Sequence, residues 1–193
     1  MEPWVWIVIG AVVVIAIVAW AAMQASRRRR TESLRSQFGD EYDRAVDASD
    51  SPRDAESELE DRRRRRDMLD IRPLPPGAGV RYAEEWRAVQ ARFVDDPAGA
   101  LGAADSLVTQ VMRERGYPMD DFEQRAADIS VDHPQTVANF RAAHEISGRV
   151  GDRDGDGDAD TEEMRQAMVH YRSLFDELLE EADEEHVDDT RAG

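Results

Sequence analysis

The chain contains no cysteine and no lysine among its 193 residues. The absence of cysteine excludes disulfides, thiolate metal ligands and cysteine nucleophiles. The absence of lysine excludes Schiff-base chemistry and a lysine general base. All 25 basic residues are therefore arginines, and with 42 acidic residues they give a net charge of −17. From Asp152 onward, 16 acidic residues face 4 arginines, which places −12 of this charge at one end. Nucleic acid is not an expected partner, because phosphate binding needs a concentrated basic face.

The usual sequence signatures of catalysis are also missing. The chain has no phosphate-binding G-x-x-x-x-G-K loop and no G-x-S-x-G nucleophile elbow. No two of its four histidines stand at a metal-ligand spacing such as H-x-x-x-H; they are His133, His144, His170 and His186. The sequence therefore predicts a non-catalytic protein with no catalytic residue.

Charged residues are absent from Pro3 to Ser26, and the 20 residues from Trp4 to Met23 are rich in Val, Ile and Ala. A helix of about 20 residues spans roughly 30 Å, the thickness of the hydrocarbon core of a bilayer. Trp6 and Trp20 fit aromatic belts at the two interfaces. The alternatives are a buried core helix and a signal peptide, which needs positive charge before a shorter apolar run. We predict a transmembrane anchor over residues 1–26.

Four consecutive arginines, Arg27, Arg28, Arg29 and Arg30, follow this segment. Positive flanks stay on the cytoplasmic side. The expected topology is thus single-pass in the cytoplasmic (inner) membrane, with the N-terminus outside and the soluble domain in the cytoplasm. Each of these guanidinium groups near anionic headgroups adds about 1 kcal/mol of attraction. The expected partners are therefore the lipid bilayer and anionic headgroups near Arg27, Arg28, Arg29 and Arg30.

Residues 27–70 are predicted to form a charged helical stalk. Apolar residues recur every four positions and form a thin stripe, at Leu34, Phe38, Tyr42 and Val46. Gly39 weakens this helix, and Ser51-Pro52 favours a new helix start. The arginine run from Arg62 to Arg66 has two interpretations. It is either a patch for RNA, lipid or a partner, or a solvated face compensated by acidic neighbours at helical spacing.

A proline-rich and glycine-rich linker over residues 71–79 is predicted to precede a helical domain over residues 80–182. No alternating strand pattern of useful length occurs, so we predict an all-α fold with five short helices. Helix boundaries are indicated at Asp96-Pro97, at Gly116, at Asp120 or Asp121, and at Asp132. The acidic tail over residues 183–193 is predicted to be disordered.

Seven stretches of the soluble part carry a resemblance to known sequences: Phe38–Arg44, Leu69–Leu74, Trp86–Pro97, Val111–Pro118, Phe122–Asp128, Val131–Pro134 and Gln166–Tyr171. Through them the chain resembles, over nearly all of its soluble length, a family of uncharacterised bacterial membrane-anchored helical proteins. The resemblance implies the architecture of an anchor, a stalk and a helical domain, and it implies no activity.

One motif has specific chemistry. The twelve residues from Asp152 to Glu163 fit an EF-hand calcium loop, in which a glycine at position six, here Gly157, permits the turn. Ca²⁺ prefers six to eight oxygen ligands. The candidate metal ligands are Asp152, Asp154, Asp156, Asp158, Asp160 and Glu163. Ala159 departs from the larger aliphatic residue usual at position eight, and no second loop is present. A flexible acidic loop is the alternative interpretation.

Together these patterns predict a membrane-tethered helical module that binds an unidentified protein partner. A calcium-binding membrane protein with a single EF-hand-like loop is the alternative, with calcium as its cofactor. A lipid-organising or envelope-organising factor that uses Arg27 to Arg30 is a third hypothesis. The lead hypothesis involves no cofactor.

Overall fold

The computed structural model describes the backbone of residues 3–151 and 161–192, and the side chains of residues 14–150 and 161–180. These residues form eight helices, and none of them forms a β-strand, so the all-α prediction is confirmed. The helices are α1 Pro3–Phe38, α2 Asp40–Ala48, α3 Pro52–Asp67, α4 Ala78–Arg92, α5 Pro97–Arg115, α6 Phe122–Asp132, α7 Val137–Gly151 and α8 Thr161–Ala192.

The chain divides into two compact units, Met1–Leu59 and Glu60–Gly193, and α3 continues from one into the other. In unit 1, α1 ends at Phe38 because Gly39 adopts φ 52°, a conformation that favours glycine. α3 starts after Ser51, whose hydroxyl accepts a hydrogen bond from the Asp54 amide at 3.3 Å. This capping confirms the predicted helix start.

The predicted apolar stripe of the stalk lies on two helices rather than one. Leu34 and Phe38 on α1 and Tyr42 on α2 are buried. Val46 is only half-buried, and Ala45 is buried instead. The break at Gly39 explains this shift, because it changes the direction in which the following residues face.

No helix within the described residues is both long enough and apolar enough to cross a membrane. The predicted anchor over residues 1–26 includes residues 1–13, whose side chains lie outside the described part of the chain. The backbone of residues 3–26 of that prediction lies on α1.

Unit 2 is built from α4 to α8 around an aromatic and aliphatic core. Trp86 of α4 stacks on Phe175 of α8, with ring centroids 4.7 Å apart. Phe140 of α7 meets Tyr171 of α8 edge-on at 6.3 Å. Five helices thus share one core, as the amphipathic patterns predicted. The buried aliphatic residues include Leu101, Leu107, Val108, Val111, Met112, Ile129, Leu174 and Leu178.

Most of the predicted helix boundaries in unit 2 are confirmed. The Asp96 carboxylate accepts the Gly99 amide at 2.9 Å at the start of α5. At the start of α6, the Asp121 carboxylate accepts a hydrogen bond from the Gln124 amide at 2.9 Å. Gly116 ends α5 with φ 99°.

Asp132 does not cap α7, contrary to the sequence prediction. It is the last residue of α6, whereas α7 begins at Val137. Pro134 disfavours helical geometry at His133 and so separates the two helices. The Asp132 carboxylate instead accepts hydrogen bonds from Arg66 Nε at 2.7 Å and from the Tyr117 hydroxyl at 2.8 Å.

The predicted linker over residues 71–79 belongs to unit 2. The Arg72 amide donates to the Arg115 carbonyl at 2.9 Å, and Leu74 is buried in the core. A side chain at Gly116 would collide with the carbonyl of Asp70, so a glycine allows this close approach. The predicted linker thus lies within the second of the two compact units.

The last helix extends beyond the predicted end of the domain at residue 182. α8 continues to Ala192, through most of the segment for which disorder was predicted. The side chains of that segment lie outside the described residues. Its sequence from Ala182 to Ala192 contains no glycine or proline that would end a helix.

Candidate functional site

The first candidate site is the exposed apolar surface of α1. Six large apolar side chains between Val14 and Met23 are each 56–68% exposed. At about 100° per residue they point to all sides of the helix rather than to one face. They are Val14, Ile15, Ile17, Val18, Trp20 and Met23. An all-round apolar helix differs from the one-sided stripe that packs against a single neighbour.

Directly after these residues on α1 lies a groove that we call the basic groove. It encloses about 580 Å³ between α1 and the start of α3. Its lining residues are Arg27, Arg30, Thr31, Pro52, Arg53, Asp54, Glu56 and Ser57.

Glu56 has several partners within this groove. Its carboxylate accepts the Thr31 hydroxyl at 2.6 Å and the Tyr42 hydroxyl at 3.3 Å. Its other oxygen lies 3.8 Å from Arg30 Nε. Burial, and then the Glu56 charge, raises the pKa of Tyr42. Glu56 is thus held by unit 1 itself, and its charge is partly compensated there.

Arg27 and Arg53 are the cations of the groove that no carboxylate compensates within the described residues. Arg27 contacts the Met23 sulfur at 3.7 Å. Arg53 is exposed in the first turn of α3. The third arginine of the groove, Arg30, shares Glu56 with Thr31 and Tyr42. The groove therefore has the charge to attract an anion.

A polar cluster lies within unit 2, where Asp105 joins three helices. Its Oδ1 accepts the Tyr171 hydroxyl at 2.8 Å and lies 3.5 Å from His144 Nδ1. The His144 ring stacks on Phe122, with centroids 3.6 Å apart. Burial and Asp105 raise the pKa of Tyr171 far above its usual value. The cluster connects α5, α7 and α8 and leaves Tyr171 protonated.

An acidic groove of about 640 Å³ borders α6. Asp128 lies in its wall, 3% exposed. Gln124 Nε2 donates to Asp128 at 2.7 Å, and Arg65 Nε lies 3.7 Å from it. Burial raises the pKa of Asp128, which the Gln124 hydrogen bond and the Arg65 charge only partly oppose.

The arginine run from Arg62 to Arg66 matches neither sequence interpretation as a whole. Arg64 has acidic neighbours on its own helix, Asp61 at 3.3 Å and Glu60 at 3.9 Å. Arg65 and Arg66 pair instead with Asp128 and Asp132 of α6, and Arg62 is buried. The end of α3 is thus part of the internal structure of unit 2.

Most of the predicted calcium ligands lie outside the described residues. These are Asp152, Asp154, Asp156, Asp158 and Asp160. Glu163 lies in the first turn of α8, with Arg149 Nη2 3.7 Å from its carboxylate. No group of three or more possible metal ligands occurs within the described part of the chain.

Sequence reasoning placed Arg27 and Arg30 at a lipid surface but missed Arg53 and Thr31 as part of the same groove. No pattern in the sequence indicates the contact between His144 and Asp105. The helix start at Ser51-Pro52 was the available signal for Arg53. No spacing rule connects Asp105 with His144 or Tyr171, because these residues stand on three different helices.

The fold and these surfaces define an all-α protein whose first helix exposes apolar side chains next to a basic groove. No protein-family model, curated protein or solved structure matches the chain. The resemblance to bacterial membrane-anchored helical proteins therefore stays a prediction.

Proposed function

We propose that this protein is a membrane-tethered, non-catalytic helical module. α1 is its single-pass anchor in the cytoplasmic membrane, with the N-terminus outside. Unit 2 lies in the cytoplasm and binds a protein partner. The observation that supports this proposal best is the exposure of apolar side chains around the whole circumference of α1.

Water is an unfavourable environment for that surface. Exposed apolar area costs about 25 cal/mol per Å², and the large side chains from Val14 to Met23 are more than half exposed. A partner helix covers one stripe, whereas lipid covers every side. The uncharged run before residue 14 extends the apolar segment to a length of about 20 residues, which suits a bilayer.

The orientation follows from the charges that flank the apolar segment. Glu2 precedes it and Arg27 to Arg30 follow it. The four arginines are exposed, and arginines next to a span are retained on the cytoplasmic side.

Unit 2 also has apolar residues that a protein partner could contact. The side chain of Val80 is 67% exposed and that of Val94 is 83% exposed.

Charge inserted into α1 tests the anchor. An Ile17→Arg, Val18→Arg variant is expected to move the protein from the membrane to the soluble fraction, because each central arginine opposes insertion by about 2.5–3.5 kcal/mol. The matched control is Val80→Arg, Val94→Arg, which adds the same two charges at exposed apolar residues of unit 2. Fractionation with an alkaline carbonate wash measures the distribution.

Cysteine labelling provides the second readout, because the natural chain has no cysteine background. A Met68→Cys variant, at a residue that is 77% exposed, is expected to react with an impermeant maleimide only after the cells are opened. Wild-type protein in the soluble fraction, or labelling of intact cells, would contradict the proposal.

Calcium binding is a second candidate function, favoured by the order of elements. The aspartate-rich segment stands in the chain between α7, which ends at Gly151, and α8, which begins at Thr161. A helix, a twelve-residue acidic loop and a helix follow one another in the EF-hand motif. Glu163 is in the first turn of the second helix, which suits a ligand at position twelve.

A further inference from the structure

We infer that the basic groove binds the phosphodiester of an anionic phospholipid headgroup, with Arg27 and Arg53 as its principal ligands. This inference rests on the proposed membrane attachment. It goes beyond a general attraction between lipid and the arginine run, because it assigns Arg53, on a different helix, to the same site. It also excludes Arg28 and Arg29 from the lining.

The charges in the groove favour a single anion. Arg27 and Arg53 have no carboxylate partner among the described residues, whereas Arg30 lies 3.8 Å from Glu56. The Asp54 carboxylate accepts the Ser51 hydroxyl at 2.6 Å, and Glu56 is held by Thr31 and Tyr42. Arginine is well suited to phosphate because its planar group donates several hydrogen bonds.

The position of the groove along α1 matches the headgroup layer. Arg27 stands four residues after Met23, which is about 6 Å at 1.5 Å per residue. The headgroup layer on each side of the hydrocarbon core is about 5–8 Å thick. Because Arg53 lines the same groove as Arg27, the start of α3 lies beside the basic turn of α1. Both arginines therefore reach the depth of lipid phosphates.

The groove is better suited to an anionic than to a zwitterionic headgroup. A zwitterionic lipid places an ammonium group close to its phosphate, and here that group would meet Arg27, Arg30 and Arg53. Thr31 and Ser57 add hydroxyl groups to the lining. A hydroxylated headgroup without an ammonium, as in phosphatidylglycerol, fits these residues.

The test is lipid selectivity of the full chain in nanodiscs made from equal amounts of phosphatidylglycerol and phosphatidylcholine. Lipids retained after extraction into mild detergent are quantified by mass spectrometry. The wild type is expected to retain phosphatidylglycerol preferentially. Arg27→Gln, Arg53→Gln should reduce that preference by at least about tenfold per arginine, because each position loses charge-assisted hydrogen bonds to the phosphate as well as its charge. The matched control Arg28→Gln, Arg29→Gln removes the same charge outside the groove and should reduce the preference less, by at most about fivefold per arginine, because it loses only diffuse attraction.

Equal losses in the two double variants would overturn the inference, because they would show diffuse attraction to the basic turn. A helical content equal to that of the wild type, measured by circular dichroism, shows that the variants are folded. Lipid retention that stays unchanged when free glycerol phosphate is added in excess supports a lipid site. Displacement of the lipid by glycerol phosphate at low concentration overturns the assignment to lipid.

Failure of the inference is distinguishable from failure of the proposed function. A chain that enters nanodiscs but shows no preference between the two lipids contradicts the headgroup site and leaves the anchor standing. A chain that does not enter nanodiscs of either lipid contradicts the anchor, and the headgroup site fails with it.

Discussion

Asp105, whose side chain is 28% exposed, and the buried Asp128 have opposite pKa shifts within one unit. Burial acts to raise the pKa of Asp105, but the His144 imidazole, 3.5 Å away, and the hydrogen bond from the Tyr171 hydroxyl outweigh it and hold the pKa below the usual value. Burial also raises the pKa of Asp128, and there Gln124 and Arg65 compensate only in part. The folded state therefore stabilises the charge of Asp105 and disfavours that of Asp128.

These shifts predict opposite effects of neutral substitutions. Asp105→Asn is expected to lower the free energy of unfolding at neutral pH by about 1–3 kcal/mol, since it removes the charged acceptor of the Tyr171 hydroxyl and the charge that faces His144. The pKa of Asp105 is lower in the folded state than in the unfolded state, where it is about 4, so its ionised carboxylate stabilises the fold above that pH. This stability is lost as the pH falls through the pKa of the folded state. The deficit of the variant should therefore shrink in acid.

Asp128→Asn is expected to retain or increase stability at neutral pH. A raised folded pKa means that ionised Asp128 opposes folding at neutral pH, and this cost is lost as pH falls through the raised value. Thermal unfolding of the full chain in detergent, followed by circular dichroism at several pH values, measures both variants. A shift of both variants in the same direction at neutral pH would contradict the assignment.

At the scale of elements, the end of α3 shows how a charged segment becomes internal structure. Arg66 Nε lies 2.7 and 2.8 Å from the two oxygens of Asp132, and Arg65 is near Asp128. Arg64, on the same helix, is 71% exposed and has partners on its own helix. Neighbouring arginines therefore have different roles, which depend on the side of the helix that each occupies.

The pair Arg66→Gln and Arg64→Gln tests this difference. Arg66→Gln is expected to destabilise the protein by about 1–3 kcal/mol, because it removes the charged partner of a largely buried Asp132. Arg64→Gln is expected to change stability by less than about 0.5 kcal/mol, as is usual at exposed positions. Thermal unfolding measures the stability of the two variants. Equal losses of stability would show that the contact between Arg66 and Asp132 of α6 does not stabilise the fold.

The connection between α7 and α8 gives a prediction for the calcium alternative. If the alternative holds, calorimetric titration of Ca²⁺ into the full chain in detergent is expected to show saturable binding. An Asp152→Ala, Glu163→Ala variant should abolish it, because it removes the first and last ligands of the loop. Titration of Mg²⁺ is the control for ion selectivity. Absence of heat up to millimolar calcium would contradict calcium binding.

At the scale of the whole molecule, charge is distributed unevenly along the chain. Arg27 to Arg30 follow the apolar segment, whereas the part from Asp152 onward has a net charge of −12. An anionic membrane surface attracts the first and repels the second within about a Debye length, roughly 8–10 Å. If the proposed membrane attachment holds, this distribution favours lipid contact through unit 1 rather than through α8 and the segment before it.

The sequence by itself determined the local features. Apolar spacing predicted the five helices of unit 2, and Asp96, Gly116 and Asp121 marked their boundaries correctly. These signals are readable because a cap, a glycine stop or an amphipathic stripe involves residues within a few positions of one another.

The tertiary structure alone decided which distant residues meet. Arg66 and Asp132 are 66 positions apart, as are Tyr171 and Asp105. The chain has 25 arginines and 42 acidic residues, so composition alone does not determine which acidic residue each arginine contacts. The packing of the helices selects among them, and in unit 1 it places Arg53 in the lining of the same groove as Arg27. Long-range pairing depends on the direction each side chain takes in the folded chain, which local spacing does not specify.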